Sequence, residues 1–134
     1  MAQNISDELD QLSCELIADA LDILAEGRDV NVMVVTQDAR GKTDARTFSD
    51  DGPEECLNAA RSHVSSSGAQ RYAIAYDGAV ADEEGSFHDA LLVEFGERGD
   101  EAFSAFVAYE GRGAGDDFAW ADPAPAGQTE NLLA

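Results

Sequence analysis

QRYAIAYDGAVADEEGSFHDALLVEFGERGDEAFSAFVAYE, residues 70–110, is the stretch that decides the fold. Three apolar or alternating runs, roughly 70–81, 86–96 and 101–110, are separated by Asp82-Glu83-Glu84-Gly85 and by Gly96-Glu97-Arg98-Gly99-Asp100. Such short polar connections join antiparallel neighbours, so the region reads as a β-meander. With the turn at 82–85 setting the register, alternation places Tyr72, Ile74, Tyr76 and Val80 on one face with Phe87, Leu91, Val93, Phe95, Phe103, Ala105, Val107 and Tyr109. The other face then carries Ala73, Ala75, Asp77, Ala79, His88, Ala90, Leu92, Phe106 and Ala108.

Upstream, Leu9, Leu12, Leu16, Ile17, Ala20, Leu21 and Leu24 recur at steps of three and four, which predicts a helix from near Ser6 to Gly27. Val30, Val32, Met33, Val34 and Val35 form a β-branched run closed by Asp38-Ala39-Arg40-Gly41, and alternation resumes at Thr43 to Phe48, giving a hairpin. Ser49-Asp50-Asp51-Gly52-Pro53 supplies cap side chains and a first-turn proline for a second helix, about Pro53 to Ser66, with Cys56, Leu57, Ala60 and Val64 as its apolar face. Asp117 to Ala121 is a last weak strand, and residues 122–134 read as an extended Pro/Ala-rich tail. The expected architecture is one two-layer α+β domain over residues 1–121: helix, hairpin, helix, antiparallel meander, with both helices on one face of a five- or six-stranded sheet.

Charge bounds the partners. Twenty-eight carboxylates face eight basic residues, a formal net charge of -20 in 134 residues. The seven arginines are scattered singly and Lys42 is the single lysine. Nucleic-acid and anionic-membrane binders need clustered cations to displace counterions from phosphate, so both classes are excluded. An acidic, lysine-poor surface suits a salt-rich cytoplasm, where ions screen self-repulsion; a GC-rich mesophilic genome gives the same bias. The apolar fraction of 44% argues for a packed core rather than a solvated acidic tail. The first twenty residues carry Asp7, Glu8, Asp10, Glu15 and Asp19, which is not the pattern of a secretion signal, and no run has the ~18 apolar residues of a membrane helix. A cytoplasmic location is expected, with Cys14 and Cys56 as reduced thiols packed in the core.

Chemistry-bearing constellations are sparse. His88-Asp89 on the meander, with Asp77 expected diagonally opposite, is the one carboxylate–imidazole group, a weak metal or general-base candidate (Asp77, His88, Asp89). It lacks the third ligand of a catalytic zinc site, and no H-x-x-x-H, H-x-H or C-x-x-C spacing is present. His63 beside Ser65, Ser66 and Ser67 lacks a nucleophile elbow, and Gly111-Arg112-Gly113-Ala114-Gly115 lacks the Lys-Ser/Thr of a phosphate loop. The order helix, two strands, helix, strands resembles deaminase-like and JAB-type metalloprotease folds. The H-x-E and P-C-x-x-C signature of the former and the paired histidines of the latter are absent, so no family is assigned and no cofactor or metal is expected.

Two apolar sheet faces exceed what two helices on one side can cover, so the expectation is a non-enzymatic homodimer or protein-interaction module, with Tyr72, Tyr76, Phe87, Phe103 and Tyr109 as interface anchors. The alternative is a small-molecule or metal-dependent enzyme with a pocket near Asp77 and His88.

Overall fold

A computed structural model describes residues 5–49 and 52–133. The elements run α1 (Asp7–Ala25), β1 (Val32–Gln37), β2 (Thr43–Phe48), α2 (Pro53–Ser67), β3 (Arg71–Ala81), β4 (Phe87–Glu97), β5 (Ala102–Glu110), a 3-10 turn (Gly115–Asp117), β6 (Ala119–Trp120) and β7 (Ala124–Thr129). The fold is α+β: two helices and a curled antiparallel sheet in the order β2-β1-β3-β4-β5-β6, with β7 also on β5.

Ser6 caps α1, its hydroxyl accepting from the Leu9 N–H at 3.1 Å, as expected for a serine just ahead of an apolar stripe. At the far end the Gly113 N–H donates to the Leu24 carbonyl. The glycine-rich loop thus serves as a C-terminal cap. Gly113 has φ 81° and its Cα sits where a Cβ on Gly27 would lie only 3.2 Å away, so this close backbone approach needs both glycines. The N-cap of α2 is Gly52, without a side-chain cap; the capping expected of Asp50 and Asp51 falls outside the described residues.

The helices lie on opposite faces, which corrects the two-layer expectation. Leu9, Leu12, Leu16, Ala20, Leu21 and Leu24 of α1 pack with Val35, Ala73, Ala75, Leu91, Val93, Phe95, Ala105 and Val107. Cys56, Ala60 and Val64 of α2 pack with Val32, Val34, Tyr72 and Ile74. Adjacent residues of β1 and β3 alternate between these two cores, so the sheet is sandwiched at its centre. A sheet apolar on both sides is stabilised more by one helix on each face than by two on the same face.

The face assignment fails by one residue, for a specific reason. Ala81 pairs with Phe87 and Tyr76 with Leu92, so the β3–β4 turn has five residues, 82–86, rather than four. A one-residue slip moves a whole strand's side chains to the other face. Tyr72, Ile74, Tyr76 and Val80 therefore face the α2 side, and Ala73 and Ala75, both fully buried, lie beneath α1 among the large residues of β4 and β5. Small side chains there let α1 approach β3 closely.

Two sequence expectations change at the ends. Residues 124–129 are extended but paired with β5 from Ala102 to Phe106, with a register break between Ser104 and Ala105, so this stretch belongs to the sheet. Cys14 is exposed while Cys56 is buried; on the helical wheel Cys14 falls just outside the buried stripe, beyond its edge at Leu21 and about 110° from its centre. Among the described residues, no helix is long and apolar enough to cross a membrane.

Candidate functional site

The structure separates the carboxylate–imidazole group read from the sequence. Asp77 pairs in register with Leu91, and His88 with Val80, so Asp77 and His88 project to opposite faces of the β3–β4 ribbon. Asp77 accepts a 2.6 Å hydrogen bond from the Tyr109 hydroxyl and an Arg112 Nη1 contact at 3.4 Å. Arg112 continues to Asp29 at 2.7 Å and to the Arg28 carbonyl at 3.2 Å, tying the loop after α1 to the middle of β3. Burial, then the hydrogen bond to Asp77, pushes the Tyr109 phenol well above its ordinary value, which holds it as a proton donor. Asp89 shares the Asp77 face, since it pairs with Ala79.

His88 instead contacts Asp82 at 2.8 Å, across the turn. That contact, with N–H donors from Ser86 and Glu84, holds the Asp82 carboxyl below the usual range. Asp38 does the same in the β1–β2 turn, its Oδ1 accepting from the Arg40 and Lys42 N–H groups at 2.9 Å each. Both carboxylates are turn-formers. Among the described residues, no group of three or more His, Cys, Asp or Glu is placed to hold a metal ion.

A second polar cluster escaped the sequence reading as a unit. Glu94, 7% exposed, is gripped by both nitrogens of an Arg61 fork and accepts from the Tyr76 hydroxyl at 3.0 Å. Arg61 extends from α2 across β3 to reach it, so the cluster clamps α2 to the sheet. Burial, then the Glu94 charge, pushes the Tyr76 phenol up to about 12, and the Glu94 hydrogen bond raises the Arg61 guanidinium. Both carboxylate oxygens of Glu94 are engaged within the chain, by Arg61 and Tyr76, which is the signature of a structural tie rather than of a poised acid or base. A charged residue within the otherwise apolar run ALLVEFG was the available signal.

His63 also has a structural place. Its ring lies 6.0 Å from that of Phe48 and its Nε2 is 3.8 Å from Asp44. Ser67 donates to the Val64 carbonyl at 2.7 Å and accepts from the Ala69 N–H, terminating α2.

The proposed anchors are dispersed. Tyr72 is fully buried under α2 and the C-terminal Leu133, and Tyr109 is 4% exposed. Phe103 packs into the α1 core, its ring 6.3 Å from that of Phe95. Tyr76 is half-buried in the Glu94 cluster. Phe87 alone of the five is open, 77% exposed. Trp120, which the sequence reading placed on a weak strand without a role, is 58% exposed and stacks on Phe118 with ring centroids 5.8 Å apart.

Both exposed aromatics lie at one end of the molecule. β1 pairs with β3 only as far as Tyr76, and β5 pairs with β4 only as far as Ala90, so residues 77–89 project as a two-stranded arm. Beside its base, Ala108, Tyr109, Ala119, Trp120, Ala121 and His88 line a cleft of about 260 Å³. On the α2 side, Leu92 and Phe106 are half-buried and lie beyond the strands that α2 covers. Compared with family models, curated proteins and solved structures, the chain matches none.

Proposed function

We propose that this chain is a non-enzymatic protein-interaction module that offers the β3–β4 arm and the neighbouring Trp120 to a protein partner. The exposure of Phe87 and Trp120 carries this reading. Large aromatics supply the greatest contact area per ordered side chain, and exposed ones concentrated at one end of a domain mark contact sites. The surrounding carboxylates, Asp82, Glu83, Glu84, Asp89, Glu110, Asp116 and Asp117, all lie on exposed positions. The matching surface is therefore an apolar recess rimmed by Lys and Arg, recognised by charge complementarity as well as by area.

The interaction module is favoured over the enzyme alternative because Asp77 and His88 take opposite faces of the β3–β4 ribbon; a cleft of about 400 Å³ does open beside Asp77, where the carboxylate is already bound by Tyr109 and Arg112. The test compares tagged wild type with a Phe87→Ser/Trp120→Ser variant. Proteins that co-purify with the former alone are identified and purified, and the pairwise affinity is remeasured in vitro. A weakening of about thirtyfold or more, with the thermal midpoint retained, supports the module. Equal affinity of wild type and variant for every reconstituted partner removes it.

A further inference from the structure

The two margins of the sheet are built differently. Along β7, Pro125 lies within the strand, Pro123 just before it, Gly127 takes φ 116°, and the pairing with β5 is broken at Ser104/Ala105. Prolines and irregularities of this kind blunt an edge against further pairing. β2, at the opposite margin, has neither: its six residues pair with β1 without a break, and all are exposed except the half-buried Phe48.

The backbone groups on that open edge can be read from the ladder. The Asp38 N–H donates to the Lys42 carbonyl at 3.0 Å, and the Gln37 carbonyl turns the other way, accepting from Gln70 at 2.8 Å. Alternation from Lys42 then aims the N–H and C=O groups of Asp44, Arg46 and Phe48 at β1, and those of Thr43, Ala45 and Thr47 outward. Asp44 and Arg46 share the α2-side face, with Arg46 Nε 3.0 Å from Asp44 Oδ2.

The segment Thr43-Asp44-Ala45-Arg46-Thr47 is antisymmetric in charge about Ala45. We propose that β2 pairs antiparallel with β2 of a second copy about a two-fold axis at Ala45, joining the two sheets into one. Every outward group finds a partner in that register: Thr43 with Thr47 of the second copy, Ala45 with Ala45, Thr47 with Thr43. Asp44 meets Arg46 of the second copy twice, at non-hydrogen-bonded positions where facing side chains are closest, and Lys42 stands opposite Phe48. Shifting the register by two residues loses both ion pairs, so charge specifies the alignment. Arg40 and Lys42, at the β2 end, make no side-chain hydrogen bond or ion pair among the described residues, their charges acting only on nearby Asp38, so the Lys42 side chain is available to lie over Phe48 of the second copy.

The arm is not involved, so this association and the interaction module stand or fall separately. The full-length protein is examined by analytical ultracentrifugation in half-molar salt, which screens the mutual repulsion of two chains of net charge -20. Wild type is expected to dimerise reversibly. Asp44→Arg and Arg46→Asp each turn two attractive pairs into repulsive ones and should weaken the dimer about tenfold. An equimolar mixture of the two variants should regain wild-type affinity as a heterodimer, because one then carries only cations and the other only carboxylates at the paired positions. Ala45→Pro removes an outward N–H that β1 does not use and should abolish the dimer while leaving the circular dichroism unchanged. If Ala45→Pro unfolds, the charge-reversal mixture decides alone. A wild type that stays monomeric at all concentrations overturns the inference, as does a dimer indifferent to both charge reversals. Phe87→Ser/Trp120→Ser should leave the dimer constant unchanged; if that variant alone disrupts it, association runs through the arm and the β2 assignment is wrong.

Discussion

Replacing Arg61 with alanine should destabilise the protein by about 2 kcal/mol, a figure bracketed by two limits. Breaking a fully buried ion pair costs roughly 3–5 kcal/mol because a charge is left without a partner, and an exposed pair contributes at most about 1 kcal/mol. Here the Glu94 side chain is 10% exposed and that of Arg61 39% exposed, so the stranded group is the buried one while the deleted group was partly solvated. Tyr76 remains as a single donor to Glu94. For a chain of this size, the loss corresponds to a fall of about 8 °C in Tm. Glu94→Gln keeps the shape and one acceptor and should cost about 1 kcal/mol. The double variant should then fall short of the summed losses by about 1 kcal/mol, since the amide no longer needs the guanidinium. Urea unfolding at neutral pH, with m-values compared across the cycle, measures this directly. An Arg61→Ala loss below about 0.5 kcal/mol, or strict additivity, would refute the assignment of this cluster as the tie between α2 and the sheet.

Alkaline pH should loosen the same region. Burial pushes the Tyr72 and Tyr76 phenols up to about 12, so the folded state keeps protons that the unfolded chain releases from pH 10 upward. Stability is thus lost as pH rises from about 10 to 12, roughly 2–3 kcal/mol from the fully buried Tyr72, and Tyr72→Phe should flatten the slope of unfolding free energy against pH in that window; parallel slopes in the two proteins would count against it. Cys14 is exposed while burial and the neighbouring Asp10 raise its thiol pKa, and Cys56 is buried. A disulfide reagent at neutral pH should label one thiol in the native protein, more slowly than a free peptide thiol, and two in urea; rapid native labelling of both would contradict the packing of α2.

The alternation and periodicity that the sequence displays are local properties, and the elements they predict are present. Ser6 with the leucine stripe set α1, the valine run and Asp38-Ala39-Arg40-Gly41 set the first hairpin, and three apolar runs set the meander. The register of β3 against β4 is also written in the chain, in a five-residue turn rather than the expected four. Asp82-Glu83-Glu84-Gly85-Ser86 repeats the pattern of Asp38-Ala39-Arg40-Gly41-Lys42, and both form the same turn, with an aspartate accepting from the third and fifth residues and a glycine at positive φ. Counting Ser86 into the turn moves Tyr72 and Tyr76 away from Phe103 and Tyr109, and with them the expected aromatic face.

What the amino-acid order determined alone was the type and approximate extent of the two helices and of β1 to β5, together with the net charge of -20, because backbone propensity, side-chain period and charge depend on near neighbours or on composition. Tertiary structure decided which face each helix covers, that residues 124–129 close the sheet, and that Glu94 is met by Arg61 from 33 residues away while Asp77 and His88 part company. Those outcomes depend on how surfaces distant in the chain are buried together. Burial is non-directional and indifferent to which helix supplies the apolar area, so no local pattern encodes the choice.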